Sequence, residues 1–285
     1  MGETAMLDLE ELRQWIGRTE SAQDTITPRL EASLRATLGR PPEQPMVGNL
    51  ATLGVHWCLA PPIVPTDALG DDGHPLRGGF LPPVPLPRRM WAGGELAFEA
   101  PLQVGDTVTR TSQIEDVAIK EGRSGAMCFV TVRHNWATER GPALEERQDI
   151  VYRAANAARP ACAVRAEVSL PQASRQRVWP CDPVLLLRYS ALTFNGHRIH
   201  YDYPYVTEVE GYPGLVVHGP LQATLLMSLA VEARGGTPRR FAFRGVAPLI
   251  AGRPIVAKAG PNRETLRLWI EDADGQTTMT ADASW

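Results

Sequence analysis

The loop formed by residues 193–202 carries several side chains that can handle a water molecule. Asn195, His197 and His200 stand within six residues of one another, so the loop offers one carboxamide and two imidazoles. An imidazole has an unperturbed pKa near 6.5 and can take a proton from water at neutral pH, whereas a carboxamide can only orient it. This segment is therefore predicted to bind and deprotonate water.

A second segment follows this loop and is predicted to stabilise negative charge. Gly219 and Pro220 precede a long apolar stretch, and proline is favoured at the first position of a helix. The first N–H groups of a helix lack internal partners and lie at its positive end. A base beside such an oxyanion site is sufficient for chemistry at the carbon next to a carbonyl group.

The elements around these segments must position them. The long helix is predicted from Pro220 to about Arg234, and polar residues interrupt its apolar stretch, which favours a core helix over a membrane span. A shorter helix is predicted over Asp182–Ser190. Strands are predicted after the long helix over Arg239–Val246, Pro254–Ala259, Thr265–Glu271 and Thr277–Trp285. A helix buried on every side and followed by four strands indicates an antiparallel sheet wrapped around it, the hot-dog arrangement.

The first half is predicted to contain two helices and four strands. Capping signals at Asp8 and Thr27 begin the helices, which end near Gly17 and Gly39. Prolines and glycines break any regular pattern over residues 61–87, and such a long excursion usually covers or lines a site. The predicted strands are Leu96–Phe98, Thr107–Ile114, Met127–Trp136 and Asp149–Arg153.

A faint internal repeat relates the two halves. Residues 97–105 contain Ala-Phe followed by Ala-Pro-Leu, and residues 242–252 repeat this pattern, each copy following an Arg-Arg pair. We therefore expect an α+β double hot-dog fold with domains at 1–158, including the excursion, and 159–285. Residues 122–125 are predicted to form a hairpin turn, and residues 154–176 a linker.

Composition excludes several functional classes. The chain has 285 residues, of which 44% are hydrophobic and 21% charged, and its net charge is −3. Nothing indicates a nucleic-acid or membrane partner. The mixed polar N-terminus is unlike a signal peptide, and scattered cysteines suit a reducing cytoplasm. No nucleotide-binding or serine-hydrolase motif is present, and the sequence requires no metal or organic cofactor.

The second half resembles the MaoC-like enoyl-CoA hydratases and the mitochondrial 3-hydroxyacyl thioester dehydratases. Their motif of Asp, Asn and His before the hot-dog helix matches Asn195, His197 and His200 here. The first half resembles bacterial mesaconyl-CoA and itaconyl-CoA hydratases over residues 15–18, 72–78 and 87–94. The resemblance implies reversible hydration of an acyl-CoA thioester, with Gly219 N–H meeting the thioester carbonyl.

One departure from the motif matters for the chemistry. Asn195 replaces the carboxylate and cannot take a proton at neutral pH, so His200 becomes the expected general base while Asn195 orients the water. His197 and His218 are expected at the substrate site, His218 in a supporting role. Arg198 could face a substrate carboxylate or a CoA phosphate.

The expected substrate is a short branched dicarboxylic enoyl-CoA of the mesaconyl or itaconyl kind, and a homodimer is possible. A second carboxylate would need a cation, and Arg77, Arg88 and Arg89 border the excursion. A 3-hydroxyacyl-ACP dehydratase would prefer long chains. A hot-dog thioesterase would need a carboxylate base near the helix, and a non-catalytic acyl-CoA-binding module would tolerate loss of His200.

Overall fold

The computed structural model of the protein describes residues 7–41, 44–122, 125–154 and 169–285. Its centre is one ten-stranded sheet whose neighbouring strands are antiparallel. The strands are β1 (Thr19–Thr25), β2 (Arg88–Phe98), β3 (Thr107–Gly122), β4 (Gly125–Thr138), β5 (Gly141–Arg153), β6 (Arg175–Trp179), β7 (Arg240–Gly245), β8 (Ile255–Asn262), β9 (Thr265–Glu271) and β10 (Thr277–Ser284). The α-helices are α1 (Leu9–Arg13), α2 (Pro28–Thr37), α3 (Pro183–Leu192) and α4 (Gly219–Arg234).

The strand order repeats itself in the two halves of the sheet. From one edge the order is β1-β3-β4-β5-β2, and from the other edge it is β6-β8-β9-β10-β7. The central strands β2 and β7 carry the repeat found in the sequence. Ala97 pairs with Arg240, and Glu95 pairs with Ala242, so the two copies face each other across the middle of the sheet. The double hot-dog prediction is confirmed.

Helix α4 is the core of the second half. Every residue from Leu221 to Ala230 is buried, and the helix packs on β8, β9 and β10. Its apolar surface is therefore covered on all sides, as the sequence predicted. Pro220 occupies the first turn, and Gly235 follows the helix at φ 72°. Proline thus favours the start of this helix, and glycine allows the chain to turn away at its end.

The first half has no long helix in its described residues at the position that corresponds to α4. In the second half α3 is followed by α4, whereas in the first half α2 is followed by a 3₁₀ turn at Val55–Cys58. Residues 61–87 then run without strand or α-helix and contain one 3₁₀ turn at Thr66–Ala68. The predicted irregular excursion is confirmed. Helices α2 and α3 pack against each other and join the two halves.

The sequence located the helix starts well and missed two strands. Asp8, Thr27 and Asp182 each accept a hydrogen bond from the backbone three residues later, which caps α1, α2 and α3. Helix α1 ends at Arg13, earlier than predicted. Strand β1 was not predicted, and β6 includes Gln176, which had been assigned to a linker.

Some predictions concern residues outside the described ranges. The domain boundary between residues 158 and 159 lies there, as do most of the predicted linker and the centre of the predicted turn at residues 122–125, so these stay predictions. Within the described ranges, the helices are too short or too polar to cross a membrane. Cys58, Cys128 and Cys181 are buried free thiols.

Candidate active site

His200 lies at the centre of the candidate site, in a 3₁₀ turn at Arg198–His200 that leads toward α4. Its side chain is buried, and Nδ1 donates a hydrogen bond of 2.7 Å to the carbonyl oxygen of Val216. A proton fixed on Nδ1 leaves the lone pair on Nε2. The local backbone therefore selects the tautomer that can accept a proton at Nε2.

His218 supports the imidazole of His200. The two rings stack with centroids 3.6 Å apart and planes 20° apart. His218 Nε2 lies 2.8 Å from Ser190 Oγ on α3, and its Nδ1 is buried without a hydrogen-bond partner in the described part of the chain. His218 is also the residue that precedes α4, so the helix start and the His200 ring are held together.

Asn195 shapes the loop that carries these histidines. Its side-chain oxygen accepts a 2.9 Å hydrogen bond from the backbone N–H of His197, and its own N–H donates to Ser190 O. Phe194, just before it, has φ 50°, a left-handed conformation that is unfavourable for an aromatic residue. Because the carboxamide oxygen is used in the turn, the NH₂ group of Asn195 is the part left to meet water.

The start of α4 offers backbone donors. The first hydrogen bond within the helix runs from Gln222 N to His218 O, and Pro220 has no N–H, so the N–H groups of Gly219 and Leu221 precede the internal ladder. A β-carbon on Gly219 would lie 3.2 Å from Cε3 of Trp91 in β2. Glycine thus allows the helix start to lie directly against the first half.

The excursion docks on the loop of residues 193–202. Arg198 donates through its backbone N–H to Asp72 O and through Nη1 to Asp71 O, both at 2.9 Å. Beside these bonds, a β-carbon on Gly73 would lie 2.0 Å from Gly196 O, so the two backbones touch. The excursion is therefore fastened to the second-half loop, and its residues belong to the site.

This docking brings a fourth imidazole into the site. The ring of His74 lies 4.2 Å from that of His197, and the ring of His197 lies 5.4 Å from that of His200. His74 Nδ1 lies 3.0 Å from Asp72 Oδ2, and Asp72 Oδ1 accepts the backbone N–H of His74 at 2.9 Å. We call His74, His197, His200 and His218 the histidine row.

The histidine row is held neutral. Burial lowers the pKa of His200 to about 4, although the bond to the Val216 carbonyl opposes this. Burial also lowers the pKa values of His197 and His218, and neighbouring imidazoles lower them further. For His74, burial lowers the pKa while the bond to Asp72 raises it in part. Neutral imidazoles can accept protons, which is what a water-activating site requires.

Asp72 is the ionised member of the site. Burial opposes ionisation, yet the hydrogen bonds from His74 hold the pKa of its carboxyl group below the usual range. Asp72, His74 and His197 each place one possible ligand atom within 4.8 Å of the others. Such a set could hold a divalent cation, although Asp72 already accepts both N–H groups of His74. That no metal is needed stays a prediction.

The arginines considered from the sequence have different partners. Arg198 pairs with Asp202 at 2.7 Å and lies over the Tyr205 ring, so a role toward a substrate carboxylate or CoA phosphate stays a prediction. Arg88 pairs with Glu210 at 3.1 Å. Arg77 donates to the carbonyl oxygens of Val84 and Pro87.

Arg89 differs from these arginines. Its charge lowers the pKa values of His74 and His197, after burial and other contributions, so it lies close to the histidine row. Among the described residues, no carboxylate forms an ion pair with it. Arg89 is therefore a cation near the histidine row that lies beside the Tyr152 hydroxyl and has no carboxylate partner in the described part of the chain.

Sequence reasoning placed the catalytic residues in the second half, named Arg89 of the first half as a possible cation, and assigned no role to Asp72 and His74. Asp72 and His74 were noted only as part of a resemblance, and Trp91 likewise. A signal was present, because an Asp-Gly-His triplet inside a proline-rich excursion combines a carboxylate and an imidazole. Its partner loop, more than 120 residues away in the sequence, could not be identified without the fold.

Known proteins of one family resemble this chain over most of its length. Residues 54–251 match the family model described as hydroxyacyl-thioester dehydratase type 2. The mesaconyl-C4-CoA hydratase of Chloroflexus aurantiacus is 44% identical over 270 residues, which cover 94% of this chain and 95% of that protein. The mitochondrial hydroxyacyl-thioester dehydratase type 2 of Schizosaccharomyces pombe is 26% identical over 76% of this chain and 79% of its own length.

A solved structure supports the fold. A Mycobacterium tuberculosis protein described as having a double hot-dog fold superposes with a TM-score of 0.57 at 15% identity, covering 94% of this chain and 95% of that one. The chain therefore belongs to the hydroxyacyl-thioester dehydratase type 2 family and is a hydro-lyase.

Proposed function

We propose that this protein reversibly hydrates a short, branched, dicarboxylic enoyl-CoA, of which mesaconyl-C4-CoA is the leading candidate and itaconyl-CoA the next. The observation that carries the proposal is the 44% identity with the Chloroflexus aurantiacus mesaconyl-C4-CoA hydratase over nearly the whole of both chains. The substrate is a CoA thioester, and no nucleic acid, membrane or organic cofactor takes part. A cytoplasmic location and a homodimer are parts of the same proposal.

In this proposal His200 is the general base. Its Nδ1 proton is committed to the Val216 carbonyl, so Nε2 accepts a proton from water as the oxygen attacks the β-carbon of the enoyl thioester. Asn195 orients that water through its NH₂ group, since its carbonyl oxygen is bonded to His197 N. Stacking of His200 on His218 keeps the base at one position during the reaction.

The electrons of the double bond move onto the thioester oxygen, and an enolate forms. The N–H of Gly219 at the start of α4 receives this oxygen, because the positive end of a helix and an unpaired backbone donor both favour negative charge. Protonation of the α-carbon completes the addition. His197 lies between His74 and His200 and forms part of the substrate-site wall.

Arg89 is the proposed partner of the second substrate carboxylate. A buried carboxylate needs a cation, because leaving it unpaired is costly. Arg88 and Arg198 already pair with Glu210 and Asp202, whereas Arg89 lies near His74 and His197 without an ion-pair partner among the described residues. Its planar guanidinium can bind a carboxylate through two hydrogen bonds.

A second candidate is dehydration of 3-hydroxyacyl thioesters with longer chains, including acyl-ACP. The similarity to the Schizosaccharomyces pombe mitochondrial dehydratase supports it at 26% identity. The two candidates differ in what the excursion must accommodate. The charge of Arg89 would match the second carboxylate of a short acyl group, whereas a long alkyl chain would need an apolar channel.

A substrate panel tests the proposal. The specificity constants kcat/KM for mesaconyl-C4-CoA, itaconyl-CoA, crotonyl-CoA and a ten-carbon enoyl-CoA are measured by the loss of enoyl absorbance. We expect a dicarboxylic substrate to exceed crotonyl-CoA by at least about tenfold, which is the effect of about 1.4 kcal/mol from one charged contact. A preference for the ten-carbon substrate would replace the proposal with the second candidate.

A further inference from the structure

The site contains one acid-base pair that the reaction described so far does not use. Asp72 and His74 come from the excursion of the first half, and their side chains are only 20% and 18% exposed. They form two hydrogen bonds with each other, and His74 lies against His197. A partly buried, ionised carboxylate that orients an imidazole is an arrangement suited to proton transfer.

We infer that Asp72 and His74 form the second proton-transfer group of the reaction and supply the carboxylate that position 195 lacks. The inference rests on the proposed hydration reaction and is independent of which acyl group is bound. His200 serves the β-carbon, where water adds, and His74 serves the neighbouring α-carbon. The two groups come from opposite halves of the chain.

The contacts between the two segments support this assignment. Asp72 O accepts the backbone N–H of Arg198, two residues before His200, at 2.9 Å. Gly73, between Asp72 and His74, touches the backbone of Gly196, where any side chain would collide. The position of His74 relative to the catalytic loop is therefore set by backbone contacts, which are more rigid than contacts between long side chains.

The tautomer of His74 also fits the role. A carboxylate can only accept, so Nδ1 of His74 carries its proton toward Asp72 and the lone pair lies on Nε2. When Nε2 gains a proton, the negative charge of Asp72 stabilises the imidazolium that forms. Removing the negative charge of Asp72 would therefore destabilise the protonated form of His74 while leaving its imidazole ring in place.

In the hydration direction, a water O–H bond breaks and its proton goes to His200 Nε2, while the new O–C bond forms at the β-carbon. The double-bond electrons form the enolate. The proton passes through His197, which contacts both rings, to His74, and His74 delivers it to the α-carbon as the enolate collapses. Dehydration follows the same steps in reverse.

Exchange of the α-proton in D₂O tests whether His74 transfers the α-proton or only supports the structure of the site. The substrate is the 3-hydroxyacyl-CoA that the wild-type enzyme dehydrates fastest. In His200→Gln, elimination should fall at least about a hundredfold, because leaving hydroxide is no longer protonated. Deuterium should still enter the α-position, since His74 can form the enolate. In His74→Gln, elimination and exchange should both fall by at least about a hundredfold.

Two further variants complete the test. Asp72→Asn keeps an acceptor for His74 but removes the charge, so kcat should fall by about tenfold or more while KM stays within about threefold. His134→Gln replaces another buried histidine, which contacts Ser112 of β3 and Gln148 of β5, and should leave elimination and exchange unchanged. Circular dichroism checks that each variant is folded.

The inference is overturned if His74→Gln keeps its α-proton exchange, or if exchange disappears in His200→Gln. Either result would assign both proton transfers to His200. Failure of the dicarboxylate preference in the substrate panel would instead overturn the proposed acyl group and leave this exchange test valid, because the test uses whichever hydroxyacyl-CoA is turned over.

Discussion

Gly73 and Gly196 touch through their backbones, although 123 residues separate them in the sequence. A β-carbon on Gly73 would lie 2.0 Å from the carbonyl oxygen of Gly196, and one on Gly196 would lie 2.7 Å from that of Gly73. Gly73 also has φ 85°, which side-chain-bearing residues rarely adopt. No flexible side chain can move to relieve such a clash, so the two segments can dock this closely only with glycine at both positions.

We therefore expect Gly73→Ala to separate the excursion from the catalytic loop. His74 would move away from His197, and kcat should fall by about tenfold to a hundredfold, since misplacement of about 1 Å can have that effect. Gly79→Ala is the matched control, because nothing lies within 4 Å of an added β-carbon there. Steady-state kinetics should show normal turnover for Gly79→Ala, and equal turnover in both variants would contradict the docking argument.

Removal of His200 should abolish hydration while the fold persists. His200→Ala removes the only Nε2 acceptor proposed to take the proton from water, so turnover should drop at least about a hundredfold. The measurement is enoyl-CoA hydration at saturating substrate, with thermal unfolding to confirm a cooperative fold. Retention of more than a few per cent of wild-type turnover would remove His200 from its role as base.

Asn195 should tolerate aspartate better than alanine. An aspartate oxygen can still accept the backbone N–H of His197, which keeps the loop turn, and a carboxylate can also hold water. We expect Asn195→Asp to keep partial activity and Asn195→Ala to lose about tenfold or more of kcat. Equal and mild effects in both variants would mean that Asn195 does not contact the water.

Arg89 should determine the preference for a second carboxylate. Arg89→Gln should lower kcat/KM for mesaconyl-C4-CoA by about tenfold to a hundredfold, as expected for a hydrogen bond between charged groups of 1.5–3 kcal/mol, and leave crotonyl-CoA nearly unchanged. Arg88→Gln is the control, because Glu210 already matches that charge. If Arg88→Gln changes the substrate ratio and Arg89→Gln does not, the carboxylate partner is misassigned.

Activity should persist to mildly acidic pH. Burial lowers the pKa of His200 to about 4, and the base must be neutral to accept a proton. The value of kcat/KM should therefore stay level as pH falls from 7 toward 5 and decline as it falls through about 4. A decline centred near 6.5, measured in buffers of constant ionic strength, would show that His200 is not desolvated in the free enzyme.

The free energy of unfolding should also depend on pH, between about pH 6.5 and 4. The unfolded chain binds protons at histidine near pH 6.5, whereas the folded chain keeps His56 and His200 neutral down to about pH 4. The free energy of unfolding should therefore fall as pH drops from 6.5 to 4. His56→Phe removes one such group, so thermal melts of this variant should show a smaller loss between pH 6.5 and 4 than the wild type.

The two strands that sequence reasoning missed lie at the two edges of the sheet. β1 and β6 have one neighbour each, and their sequences are polar along most of their length. The hydrophobic alternation used to find strands arises only where one face is buried, so it is weak at an edge. The buried helix α4 and at least part of each strand with two neighbours were predicted, although only residues 96–98 of β2 were assigned.

The candidate site also contains some residues that the sequence could predict and some that it could not. Asn195, His197, His200 and Gly219 could be proposed because they are close together in the sequence. Their partners Asp72, His74 and Arg89 come from the excursion and the start of β2, and pairing with the second half depends on tertiary structure. Local spacing can identify a catalytic loop, but it carries no information about a distant segment that folds over it.

The first half has a 3₁₀ turn and the excursion where the second half has the long helix α4. This difference determines how many ligand molecules one chain can bind. Each half of the sheet repeats the same strand order, yet within the described ranges only the second half has a long helix whose first turn can receive an enolate. In the first half, Trp91 of β2 lies against Gly219 at that helix start instead. One polypeptide of 285 residues should thus bind one equivalent of a tight enolate analogue, which titration calorimetry can count.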